Sequence, residues 1–259
     1  MSRLLTIGTI GQNFYTFDPI QQTLDYESAV VADGGTIGSL ELIDAVLRQE
    51  VDNNRLNEPL FYFTSQGRKG NVSELYMLHN PAIKWTHSGW SLHTDNGRET
   101  LARSSLLEWS TIDDYLPTPW CYWGWIYATG NFSDSRQGII GRDAGSAASC
   151  SIDTGSGNNR LQYIDSGATI LSSNTTPALA NNWRFICFQG SGNTIKKYVD
   201  GVKIRDIATA GATELRRIHL FNVNGSQLHG RFDLFCLRLA NVSDQEVTDL
   251  YNATKFYYQ

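Results

Sequence analysis

Hydrophobic and polar positions change rhythm along this chain, and the changes mark out its elements. Up to about Asp25, Leu4, Ile7, Phe14, Tyr15 and Phe17 stand among Gly, Thr and Gln without a helical period, which predicts an extended arm over residues 1–25. Tyr26 to Val31 predicts a short helix, stopped by Asp33, Gly34 and Gly35, because paired glycines after an apolar run end helices. A second helix is predicted from Leu40 to Val51: Ser39 can cap it, and Leu40, Ile43, Val46 and Leu47 share one face. The apolar runs Leu60 to Thr64 and Leu75 to Leu78 bracket a turn region at Gly67 and Gly70. Together residues 26–89 read as a small helical subdomain or insert.

From Trp90 onward short strand-like runs alternate with Gly, Ser, Asn and Asp clusters, the spacing of a β-sandwich over residues 90–259. The run Trp120 to Tyr127 is the most aromatic. As a strand it places Trp120, Tyr122 and Ile126 on one face and Cys121, Trp123, Trp125 and Tyr127 on the other. Apolar residues on both faces predict a central strand, or one with a face on the core and a face lining a groove. Further strands are predicted at Gly138 to Gly141, Cys150 to Ile152, Leu161 to Ile164, Thr169 to Leu171 and Trp183 to Phe188. Thr194 to Arg205 predicts a hairpin around Asp200-Gly201, a pair that accepts positive φ at both positions. Period two puts Ile195, Val199, Val202 and Ile204 on one face of it, with Lys196, Tyr198, Lys203 and Arg205 on the other. Leu215 to Val223 and Arg231 to Leu239 read as the last strands. Ser243 and Glu246 then form a capping box for a helix presenting Val247, Leu250 and Tyr251.

Composition narrows the function classes. The chain has 259 residues, 41% hydrophobic and 18% charged, enough apolar material for a core and too little charge for disorder. A net charge of -5 without a basic stripe argues against a nucleic-acid partner. No run of about 18 apolar residues occurs, so no membrane span is expected, and the first residues lack the apolar core of a signal peptide. Cys121, Cys150, Cys187 and Cys236 show no paired spacing and are expected to be reduced, as in a chain made in a cytoplasm. Asn-x-Ser/Thr triplets at Asn71, Asn131, Asn174, Asn224, Asn241 and Asn252 then read as loop composition.

The later motifs stand in an order that resembles the laminin-G-like branch of the concanavalin A-like superfamily. They are Asn182-Trp183, Tyr198 to Gly201, Gly230 to Asp233, and Ser243 to Glu246 leading to Tyr251. The resemblance implies a mainly β fold, a concanavalin A-like jelly roll with a small N-terminal helical subdomain, in which Asp233 is a structural strand residue. The stretch Ala32 to Ser39, the helix after it, the Lys69-Gly70 region and Leu75-Tyr76 resemble a segment that precedes this sandwich in tailed-phage virion proteins. That likeness implies a virion structural or decorating protein of capsid, head fibre or tail, made in a host cytoplasm. Its partners would be other virion proteins and further copies of itself, held by burying about 2,000 Å² or more.

Candidate chemistry is sparse. Glycosidases sharing this sandwich carry paired carboxylates on one strand, and no Glu-x-Asp-x-Glu string occurs, so no enzymatic activity is expected; nor is there a Gly-x-Ser-x-Gly elbow. His79, His87, His93, His219 and His229 read as loop or surface residues short of a metal set. Asp134, Asp143 and Asp153 lack the density of a calcium loop. No metal or cofactor is therefore expected. Trp120, Trp123 and Trp125 have two readings, core filling and stacking on a sugar face, so Trp123 and Trp125 are the candidate contacts for a host glycan. Tyr163, Trp183 and Phe185 read as core.

Overall fold

The computed structural model describes residues 17–86, 90–95, 98–103, 110–129, 136–141, 149–153, 160–164, 170–175, 178–210, 213, 215–220, 222–223 and 226–259. The N-terminal part runs α1 (Gln21–Ala32), β1 (Thr36–Ile37), α2 (Leu40–Asp52), β2 (Pro59–Phe63), β3 (Gly67–Lys69), β4 (Glu74–Met77) and β5 (Asn80–Thr86). The middle holds β6 (Trp90–Asp95), β7 (Arg98–Arg103), β8 (Ser110–Leu116), β9 (Trp120–Ala128), β10 (Arg136–Gly141), β11 (Ser149–Asp153), β12 (Arg160–Ile164) and β13 (Ile170–Asn174). Then come β14 (Trp183–Ser191), β15 (Thr194–Val199), β16 (Val202–Ala208), β17 (Leu215–Leu220), β18 (Asn222–Val223), β19 (Ser226–Gln227), β20 (Gly230–Arg238) and α3 (Asp244–Tyr258).

Two antiparallel sheets make the sandwich. The large one has the order β16-β15-β14-β9-β20-β7-β6, with β2 also paired to β20. Facing it is a six-stranded sheet, β13-β12-β11-β10-β17-β8. Alternation along β9 divides its side chains as the pattern predicts. Trp120, Tyr122 and Ile126 join the core between the sheets, with Ile186, Phe188, Cys150, Ile152 and Tyr163. Cys121, Trp123 and Trp125 join a second core beneath the helices, with Phe185, Val46, Leu47, Val247 and Leu250. The large sheet is therefore covered twice, which explains why its central strands are apolar on both sides.

Local signals are realised where predicted. Ser39 Oγ accepts the Leu42 amide at 3.2 Å and starts α2. The Ser243–Glu246 capping box has both of its bonds, at 3.1 and 2.6 Å. Asp200 (φ 51°) and Gly201 (φ 76°) close the hairpin with Val199 opposite Val202. Val202 is nonetheless exposed, because β16 is the edge of the sheet and reaches past the core.

The N-terminal part departs from expectation. Helix α1 begins at Gln21, inside the stretch expected to be an extended arm; residues 1–16 lie outside the described ones. No local side chain caps it. Asp44 of α2 does that work instead, its Oδ1 accepting from the Ile20 amide at 2.8 Å and the Thr23 hydroxyl at 2.9 Å. Residues 26–89 are helical only in part, since β1, β3, β4 and β5 form a sheet of their own. Strand β2 pairs with β20, placing Tyr62 opposite Cys236 and Phe63 opposite Phe235. The expected boundary at residue 90 thus crosses a continuous sheet. Among the described residues, no helix is long and apolar enough to cross a membrane.

Candidate functional site

Trp123 and Trp125, the candidate glycan contacts, are 0% exposed, which bears out the core-filling reading. Trp123 packs edge-on against Tyr62 of β2 at 5.2 Å and against Phe185 at 5.6 Å. Trp125 stacks on Tyr258 of α3 at 4.5 Å and donates its indole N–H to Thr254 Oγ1 at 2.9 Å. A ring that stacks on sugar needs an open face, and these have none. Tyr163 and Phe185 are buried as expected, whereas Trp183 is only half-buried.

A half-buried aromatic surface lies two residues further along the same face of β9. Tyr127 stands opposite Trp183 on β14 and opposite Arg231 on β20, so these three side chains form a row across the sheet. The row continues to Ala102 on β7, whose face-mates at period two are Thr100 and Arg98. Asp95 on β6 pairs with Arg98. This is where the helical cover ends: Tyr258, in the last turn of α3, packs its ring against Trp183 at 5.2 Å. Beyond it opens a pocket of about 110 Å³, lined by Asp95, Arg98, Thr100, Tyr127, Trp183 and Arg231.

Identifiable contacts hold most of the lining groups. The Arg231 guanidinium lies 4.2 Å from the Tyr127 ring and 5.6 Å from Trp183, and it ion-pairs with Asp95 Oδ2 at 3.2 Å. Gly230 precedes it at φ 141°, where a Cβ would overlap the Tyr127 carbonyl oxygen; only glycine lets β20 start this close to β9. Arg98 donates to the Tyr258 carbonyl at 2.8 Å. Thr100 is 2% exposed, and its Oγ1 has no hydrogen-bond partner among the described residues. A buried hydroxyl left unpaired at a pocket wall is costly unless a ligand or water supplies the partner.

Behind the pocket a buried carboxylate ties three elements together. Asp233 accepts from Thr64 Oγ1 (2.8 Å), the Ser65 amide (2.7 Å), Ser65 Oγ (2.9 Å), the Leu234 amide (2.8 Å) and Tyr258 Oη (3.1 Å). Burial raises its pKa above the usual carboxylate range, against those donors. Leu234 sits at φ 53° in a bulge that turns both residues toward the helices, and Asp233 satisfies the amide this frees. The structural role implied for Asp233 fits this geometry. Nothing in the sequence around it names Thr64, Ser65 or Tyr258 as its partners.

The remaining candidates are scattered. His93 is exposed, and His79 is half-buried with its pKa lowered, mainly by burial and then by Arg238. The His229 amide donates to Gln137 Oε1 at 3.1 Å. The backbone of His219 lies in β17 opposite Thr111. Asp153 is buried and accepts from Gln162 Nε2 at 3.1 Å. His87, Asp134 and Asp143 lie outside the described residues. Among the described residues no three His, Cys, Asp or Glu side chains group as a metal site requires. The four cysteines are free and buried, and Cys121 Sγ lies 3.8 Å from Cys187 Sγ.

No protein-family model matches the chain, and no curated protein matches it in sequence. Solved structures do resemble it. The binding domain of Paraclostridial Mosquitocidal Protein 1 superimposes with a TM-score of 0.55 at 16% identity, over 76% of this chain and 52% of that one. Trypanosoma rangeli sialidase superimposes with a TM-score of 0.52 at 10% identity, over 85% of this chain and 40% of that one. This chain therefore spans about half of the toxin domain and less than half of the sialidase. Likeness at such identities establishes fold alone: the chain is a mainly β protein built on an antiparallel jelly-roll sandwich, as in a toxin binding domain, with small N-terminal helices.

Proposed function

We propose that the protein is a non-catalytic binding module that takes a carbohydrate in the pocket at the end of the helix-covered sheet face. The observation that carries this reading is the buried Thr100 hydroxyl, unpartnered among the described residues, at the wall of a pocket that also holds half-buried Trp183 and Tyr127. Few orienting polar groups beside aromatic surface are what a sugar ring requires, with its apolar faces and hydroxyl rim. Asp95 is the one carboxylate among the six lining residues, and glycosidic hydrolysis ordinarily uses two. The toxin fragment of like fold is a binding domain, which supports binding over turnover.

A glycan array tests it directly. The wild-type chain is expected to retain a subset of glycans, and Trp183→Ala and Thr100→Val are each expected to weaken retention at least tenfold while remaining folded by circular dichroism. A wild-type chain that retains nothing on a broad array removes the reading.

The likeness of Ala32 to Ser39 and of Leu75-Tyr76 to tailed-phage virion proteins supports a second, compatible reading. In it the module is a structural or decorating part of a phage particle, in contact with other virion proteins and with copies of itself. Leu60 on β2 and Ile83 on β5 are large apolar side chains exposed on the N-terminal part, available for such contacts. Mass spectrometry of purified particles and size-exclusion chromatography check this. A strictly monomeric chain absent from particles would remove it.

A further inference from the structure

Building on the carbohydrate reading, we infer that the pocket selects an acidic saccharide, one bearing a carboxylate or a sulfate ester, and that Arg98 is the group that meets the anion. The argument starts from the charges at the pocket, two guanidinium groups against one carboxylate. They are not equivalent. Arg231 is already neutralised: its side chain is 14% exposed, pinned to the Tyr127 ring, and paired with Asp95, which is itself 54% exposed. Arg98 meets only the neutral carbonyl of Tyr258 and has no carboxylate partner among the described residues.

Thr100 supplies the second half of the site. It stands two residues from Arg98 on β7, on the same face of the strand and roughly 7 Å away along it. A carboxylate or sulfate between the two side chains can accept from the guanidinium and from the unpartnered hydroxyl together, and charge-assisted bonds of this kind are the strong ones. Trp183 lies across the row on β14, where it offers apolar surface to the sugar that carries the anion. At about 110 Å³ the pocket suits the end of a chain better than its middle.

Asp95 gives the inference a distinctive signature. Its carboxylate holds Arg231 while repelling an incoming anion, so removing the charge should improve acidic binding, which a merely structural role would not do. The test is calorimetric titration of the full chain with three oligosaccharides of equal length, one neutral, one ending in a uronate and one sulfated. Acidic ligands are expected to bind at least tenfold tighter than the neutral one, and to weaken as salt is raised. Arg98→Gln is expected to abolish that preference, bringing the acidic ligands down to the affinity of the neutral one; Asp95→Asn is expected to strengthen acidic binding severalfold. The uronate and sulfate arms then show which anion is preferred. Equal binding of acidic and neutral ligands, unaffected by Arg98→Gln, overturns the selection and leaves the carbohydrate reading standing. If none of the three binds and the array is also blank, both fall.

Discussion

Toward the six-stranded sheet, the large sheet presents Trp120, Tyr122, Ile126, Ile186, Phe188 and Phe232, a face whose buried side chains are apolar except for Lys197. Toward the helices it presents Trp123, Trp125 and Phe185 interleaved with Cys121, Cys187, Asp233 and Arg238. The first face closes by burial of alternating apolar side chains, which needs little directional chemistry. The second carries buried polar groups, and each requires a particular partner from far along the chain: Glu50 for Arg238, and Thr64 and Ser65 for Asp233. One face is therefore specified by pattern and the other by pairing. The pocket sits on the paired face, at the end where the helices stop.

The largest expected effect comes from breaking the pairing. Glu50 and Arg238 meet at 2.6 Å with side chains 2% and 1% exposed. Glu50→Gln leaves the buried guanidinium only the longer contact to Glu58, at 3.7 Å and 35% exposed, and is expected to cost about 3 kcal/mol in urea unfolding. The double change Glu50→Leu with Arg238→Met is expected to cost much less, since the desolvation penalty goes with the pair. Equal losses in single and double variants would show that this face is held by packing, like the other.

Asp233→Asn comes next. It leaves the donors of Ser65, Thr64 and Tyr258 sharing one amide oxygen, at an expected cost of about 2–3 kcal/mol. The Tyr258 contact should loosen first, seen as faster amide exchange in the last turn of α3. At the start of that helix, Ser243→Ala removes the cap and is expected to cost about 1 kcal/mol.

Lys197 is the exception on the patterned face, and its effect shows chiefly in pH dependence. Its ammonium donates to the carbonyl oxygens of Leu161 (3.1 Å) and Leu171 in the opposite sheet, and burial lowers its pKa from 10.5 to about 8. Between those values the unfolded chain holds a proton that the folded one has released. Stability is thus expected to rise as pH goes from about 8 to 10.5, and to be lost on the way back down. Lys197→Met, similar in volume, is expected to change stability at pH 7 by under about 1.5 kcal/mol. It should also flatten that slope; a slope unchanged in the variant would assign it elsewhere.

Much of the sandwich is legible in the sequence, because its signals are local. Helix α2, the Asp200-Gly201 hairpin, the Ser243 cap and the two faces of β9 each depend on residues within a few positions of one another. The start of α1 was hidden because its cap, Asp44, lies on another helix. The depth of Lys197 was hidden too: a long apolar stem carries its charge across the layer to carbonyl oxygens that sequence does not locate. Trp123 and Trp125 read as core filling or as a sugar platform, and the cover that β2 and α3 supply is what decides for core.

What the sequence determined alone is the class of fold, since period-two alternation, turn glycines and capping residues act over short distances and need no partner. What only tertiary structure decided is which aromatic ring remains open. Trp125 and Tyr127 share a face of one strand, two residues apart; α3 ends over the first and leaves the second beside Arg231 and Trp183. The site is assembled from β6, β7, β9, β14 and β20, and no local pattern could have shown that Asp95, Arg98, Thr100 and Arg231 would meet there.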